Sequence, residues 1–231
     1  MNFTQHQRTR YFDLQYLPDN NLPTVTVNGK RHYVTPAGDQ YPSVTTVLSS
    51  MSADGIAAWR AKVGAEAANK VSVQASGRGT KVHQLAEDYL RNKDDYLTGH
   101  MPANIETFNQ IKTYVDEHVD IVYGNEIALY SDELKTAGRC DLIAHMHGKK
   151  TIGDFKTSKK YKKEEWILNY FYQCTTYALM LYEREKIWCP QICLMIATDE
   201  DGLQPVIKRT NDYVPQVREF FDKWHRENSS K

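Results

Sequence analysis

Asp154, Phe155 and Lys156 stand in a stretch, residues 151–157, that reads as a β-strand. Side chains two apart on a strand share a face, so Asp154 and Lys156 project together while Phe155 packs behind them. Asp141 lies in the preceding predicted strand, residues 135–145, and a turn near Gly148 can bring it alongside Asp154. Two facing carboxylates repel unless a positive charge lies between them. A hard divalent cation such as Mg²⁺ supplies that charge, takes oxygen ligands and keeps several waters. A neighbouring lysine can orient or deprotonate one of those waters. The chemistry this set could perform is metal-assisted hydrolysis.

Other residues can join it. Glu126, in a predicted strand over residues 124–130, offers a third carboxylate to the same sheet edge. His83 and Glu87 are four apart on a predicted helix and share one face, without the second histidine of a zinc-protease helix. Gln173 and Tyr177 are likewise four apart on a predicted helix over 162–184, with Arg184 two turns on. Between 149 and 163 there are seven lysines, Lys159 and Lys160 among them, against the single acid Asp154. Amide, phenol and ammonium donors of this kind can position a sugar-phosphate chain. The chain's 29 Lys+Arg balance 29 Asp+Glu, which excludes a protein that coats a polyanion with its whole surface and makes any basic field local. Each piece also has a plainer reading: a solubility pair across strands, a surface contact, a half-buried helix face, a solvated loop. Their concurrence is what favours a site.

The elements that must position these groups follow from periodicity and turn chemistry. Residues 24–27 and 30–35 flank Asn28-Gly29 and read as a two-residue β-hairpin, outside the region assigned to chemistry. Ser43 is placed to cap a helix with Val44, Val47 and Leu48 on one face. A helix follows through 56–62, broken near Gly64, and the flexible Ser76-Gly77-Arg78-Gly79 precedes another over 80–90. A helix over 104–118 starts shortly after Pro102. The three strands come next, then the helix over 162–184, strands over 190–197 and 203–208 about Asp199-Glu200-Asp201-Gly202, and an amphipathic helix over 213–226. The expected fold is α/β: a central mixed β-sheet flanked by helices, with an N-terminal β-hairpin and helical segment. One domain is expected over 1–231, with a hairpin extension (1–50), a helical region (51–120) and a sheet core with C-terminal helices (121–231). Four cysteines, irregularly spaced, read as buried free thiols of a reducing compartment. No apolar run approaches the ~20 residues of a membrane span, and residues 1–10 lack a secretory pattern. Residues 1–12 carry two arginines and no acid, weak support for an organellar presequence, and the compact length favours the cytoplasm of a bacterium or phage-infected cell over the mitochondrial matrix as the expectation.

In order, Tyr41-Pro42-Ser43-Val44-Thr45, Gly79-x-x-x-His83-x-x-x-Glu87, Glu126, Gly138-Arg139-Cys140-Asp141, Asp154-Phe155-Lys156-Thr157-Ser158 and Gln173-x-x-x-Tyr177 resemble the PD-(D/E)XK nucleases of the RecB-like branch. Within it they are most similar to the mitochondrial genome maintenance exonuclease group and its phage and bacterial relatives. The resemblance implies a restriction-endonuclease-like core and a DNA exonuclease of replication, repair or recombination, acting on single strands or strand ends with Mg²⁺ or Mn²⁺. It implies Asp141 and Asp154 as metal ligands, His83 and the Phe155 carbonyl as further ones, and Glu126 for a second ion or its water. Lys156 would position the attacking water, Gln173 and Tyr177 would orient the strand, and Ser43 and Thr45 would touch a flanking phosphate. Replication or recombination proteins are possible partners. Some relatives hold an iron-sulfur cluster, which is not expected here because no cysteine precedes Cys140. Nor is a helicase, since the phosphate-loop motif is missing. A structure-specific endonuclease and a non-catalytic DNA-binding adaptor remain alternatives.

Overall fold

The computed structural model describes residues 8–19 and 21–228, so most of the leader reading of residues 1–10 lies outside the described residues. A short strand, β1 (Asp13–Leu14), precedes a meander of β2 (Thr24–Val27), β3 (Lys30–Val34) and β4 (Gln40–Pro42). The β2–β3 turn is the expected hairpin, with Asn28 and Gly29 at φ 50° and 73°, the left-handed pair that matches strand twist. The third strand was not legible in residues 35–43. Helix α1 (Val44–Leu48) is capped as expected: the Ser43 hydroxyl accepts the Thr46 N–H at 3.1 Å.

A 3₁₀ turn leads into α2 (Ala53–Val63), which ends at Gly64 with φ 87°. Then α3 (Ala65–Leu90) runs without interruption through Ser76-Gly77-Arg78-Gly79, which corrects the expectation of a flexible break there. Each interior glycine costs a helix about 1 kcal/mol. Tertiary contacts offset this: Arg78 pairs with Asp199 at 2.5 Å, and Val82, Leu85, Ala86 and Tyr89 are buried. Helix α4 (Pro102–His118) begins with proline in its first turn, where the missing N–H has no helical partner anyway.

The main sheet has six strands in the order β1-β5-β6-β7-β8-β9, with β5 (Val119–Ser131), β6 (Thr136–Met146), β7 (Lys149–Ser158), β8 (Gln191–Thr198) and β9 (Gly202–Arg209). It is mixed: β5–β6–β7 and β8–β9 are antiparallel, whereas β1–β5 and β7–β8 are parallel. The β6–β7 turn lies at His147-Gly148, as expected. Helix α5 (Leu168–Glu185) makes the β7–β8 crossover and starts later than residue 162, because residues 164–166 form a 3₁₀ turn. Helix α6 (Val214–Asn228) buries Val217 and Phe221, one turn apart.

The fold is thus α/β, a mixed sheet with helices on both faces plus a three-stranded sheet. On one face Ile143, Ile152, Ile192 and Leu194 pack with α1, α5 and α6. On the other, Leu142, Ala144, Phe155 and Met195 pack with α3 and α4. Burial of every residue of β8 explains its continuous apolar run. The four cysteines are free and buried. No helix among the described residues is long and apolar enough to cross a membrane.

Candidate metal centre and groove

A fork in the sheet makes the site. Strands β6 and β7 pair from Met146–Lys149 to Leu142–Gly153, after which β6 continues beside β5 and β7 beside β8. Continuing the β6–β7 register would set Asp141 opposite Asp154, and there the ladder stops. The Asp141 carboxylate takes over: its Oδ2 accepts the Phe155 N–H at 3.0 Å, so a side chain satisfies a backbone donor that the fork leaves free.

Three donors converge at this point. His83 Nδ1 lies 3.4 Å from Asp141 Oδ2 and 3.7 Å from Glu126 Oε1, and one ligand atom from each residue falls within 4.8 Å of the others. The opposite ring nitrogen, His83 Nε2, is 2.7 Å from the Phe155 carbonyl. With Nε2 donating to that carbonyl, the imidazole is turned so that Nδ1 faces the carboxylates, the orientation that metal-binding histidines receive from their outer partner. Burial by itself would lower the His83 pKa; Asp141 and Glu126 outweigh it and push the group up to about 9. Glu126 arrives in an unusual way, with φ 54° in the middle of β5, a left-handed conformation costly for a residue with a Cβ. The donor set fits a divalent ion. Two carboxylates and one imidazole suit a cation that accepts oxygen ligands and tolerates nitrogen, and the set opens to solvent.

Asp154 and Lys156 share the opposite face of β7 from Phe155, as strand geometry demands. Asp154 is 1% exposed; its Oδ1 accepts from Gln173 Nε2 at 2.8 Å, and its Oδ2 lies 2.5 Å from Lys156 Nζ. Burial raises the Asp154 pKa to about 6, with Lys156 opposing and Asp141 adding to the rise. Lys156 is held above its ordinary value: burial opposes its charge, but Asp154 and Asp141 more than offset that. Its ammonium also lies 5.0 Å from the centre of the Tyr170 ring.

A groove of about 780 Å³ opens over these residues and includes His83, Glu87, Glu126, Asp141, Lys156, Gln173 and Tyr177 in its walls. Tyr177 is buried against β6, where only Gly138 fits: a Cβ there would come 2.8 Å from the phenol oxygen. Thr45 also lines the groove. Ser43 does not. It is 1% exposed, and its hydroxyl accepts the Thr46 N–H as the helix cap. Lys159 and Lys160 also lie outside the groove walls, facing Glu200 at 3.6 and 3.0 Å, because they follow the end of β7 beside the turn between β8 and β9. Arg184 is paired with Asp132 and Glu183. Gln173 contacts Asp154 rather than standing free for a strand.

The groove uses residues to which the sequence reading gave no role. Arg139 is two before Asp141 on one strand, and Tyr170 and Asn169 precede Gln173 by three and four; that spacing was a usable signal. Arg31, Thr24 and Tyr33 come from the hairpin, which forms a wall instead of lying outside the site, and no local pattern announces that.

No family model and no curated protein matches the chain. Among solved structures it is similar to a candidate exonuclease from Eubacterium rectale, with a TM-score of 0.42 and 13% identity over 66% of this chain and 66% of that one. It is also similar to the crystal structure of SSO0001, with a TM-score of 0.35 and 12% identity over 64% of this chain and 75% of that one. Likeness at this level assigns neither activity nor substrate.

Proposed function

We propose that this chain is a divalent-metal-dependent phosphodiester hydrolase, and more narrowly a PD-(D/E)XK exonuclease acting on DNA single strands or ends. The observation that carries the reading is the fork between β6 and β7, which gathers His83, Glu126 and Asp141 at one point and sets the Asp154–Lys156 pair beside it, all but Asp154 lining one open groove. His83, Glu126 and Asp141 would hold the ion, with Asp154 adjoining, while the Phe155 carbonyl on the far edge of the His83 ring would orient the imidazole. A bound Mg²⁺ or Mn²⁺ would acidify a water and offset charge developing on the phosphate. Lys156 is placed to orient that water and to stabilise negative charge on the transferring group, held upright by Asp154, which Gln173 in turn fixes. Arg31 and Arg139 give the groove positive charge for a phosphate backbone.

A time course on end-labelled linear and circular single-stranded DNA, with and without Mg²⁺, tests this. Linear DNA should be degraded only with metal, the circle should survive, and Asp154→Ala and Lys156→Ala should each lower turnover by at least ~10²-fold while retaining DNA binding. Equal cutting of the circle would convert the reading to an endonuclease. Binding with no cleavage in Mg²⁺ or Mn²⁺ would convert it to a non-catalytic adaptor, and unchanged turnover in either variant would defeat the site assignment.

A further inference from the structure

A second depression, of about 810 Å³, adjoins the groove, and Ser52 and Asn169 belong to the walls of both. Its floor is unlike the first. Trp59 on α2 and Trp166 in the turn before α5 line it with Ile56 and Leu168, and these four side chains are between 36% and 60% exposed. Two partly exposed indoles in one depression offer flat apolar surface on which a planar group can lie. The charges around it narrow the occupant. Lys162 lines the depression, and the Lys163 ammonium stands 5.3 Å from the centre of the Trp166 ring. The acid in its wall, Glu165, is within 3.9 Å of Lys163 and so partly offset.

We infer that this shelf receives unpaired bases of single-stranded DNA whose backbone continues into the adjoining groove. The inference rests on the nuclease reading of that groove for its direction. Exposed indole faces offer stacking to any base, and flanking ammonium groups follow the phosphates, the combination by which single strands are held without sequence preference. A duplex hides its base faces and has no use for the shelf. Continuity of the two depressions means that a strand crossing the shelf is led past Asn169 toward Lys156.

The test is binding without turnover: titration of the full chain with fluorescein-labelled (dT)₂₀ in EDTA, with tryptophan fluorescence as a second signal. Trp166→Ala should raise Kd about tenfold and Trp59→Ala should raise it in the same direction, in line with the ~1–3 kcal/mol per base that stacking contributes. Trp166→Phe should recover most of the affinity, and a 20-bp duplex should be insensitive to all three. Ile207→Ala, an equally exposed apolar residue on β9, is the control and should bind as the parent does. An unchanged Kd in both alanine variants, with Tm retained, would overturn the shelf, as would concentration-dependent dimerisation that Trp166→Ala abolishes while Kd stays fixed. The two readings fail separately: an inert parent whose (dT)₂₀ affinity still depends on the tryptophans removes the nuclease and keeps the shelf, whereas cleavage with tryptophan-independent binding does the reverse.

Discussion

His83 shows how a single residue couples the site to the stability of the fold. Its carboxylate neighbours raise it from the ordinary 6.5 to about 9, against the burial that would lower it. A histidine whose folded pKa exceeds its unfolded one adds stability that is fully present below pH 6.5 and disappears as pH rises through about 9. The shift corresponds to at most about 3 kcal/mol. In EDTA, urea denaturation should therefore show stability falling between about pH 6 and about pH 10, and His83→Ala should lack most of that slope whatever its absolute stability. A parent with a flat profile over this range would mean that Asp141 and Glu126 do not act on the imidazole as their 3.4 and 3.7 Å separations require.

At the scale of elements, Glu126 marks the limit of what strand patterning can reveal. The sequence shows a carboxylate in an apolar stretch; it does not show that β5 slips register between Val122 and Gly124 or that Glu126 adopts φ 54°. Holding that conformation costs on the order of 1 kcal/mol for a residue with a Cβ, and glycine is free of the cost. Glu126→Gly should consequently be more stable than Glu126→Gln in metal-free thermal melts, by about 1 kcal/mol, although both remove the same charge and both should lose metal-dependent activity. Equal melting temperatures would show that β5 carries no strain there. Elements set by local chemistry were legible: the Asn28-Gly29 hairpin, the Ser43 cap, the turn at Gly148 and the alternation that puts Asp154 with Lys156. Elements decided by distant contacts were not. The passage of α3 through Gly77 and Gly79 goes with burial of Val82, Leu85, Ala86 and Tyr89 and an ion pair from Arg78 to Asp199, more than a hundred residues away, and the delayed start of α5 goes with a 3₁₀ turn that helical spacing cannot distinguish from a helix.

For the whole molecule the question is where a balanced charge becomes a local field. The lysine run was the most conspicuous basic feature of the sequence, yet Lys159 and Lys160 face Glu200 outside the groove, whereas Arg31 enters it from the hairpin, with its guanidinium 5.5 Å from the centre of the Tyr33 ring. Side chains 66–79% exposed and already facing a carboxylate would release few counterions if DNA lay along the groove, as proposed. Arg31→Ala should weaken DNA binding at every sequence and lower the slope of log Kd against log salt by about one, the signature of one lost phosphate contact. The double change Lys159→Ala and Lys160→Ala should leave both affinity and slope within about twofold of the parent. Salt titrations of a labelled oligonucleotide between about 50 and about 200 mM, a range over which several phosphate contacts separate clearly, would decide it. If the lysine pair moves the slope and Arg31 does not, the strand runs along β7 instead of between the hairpin and the fork.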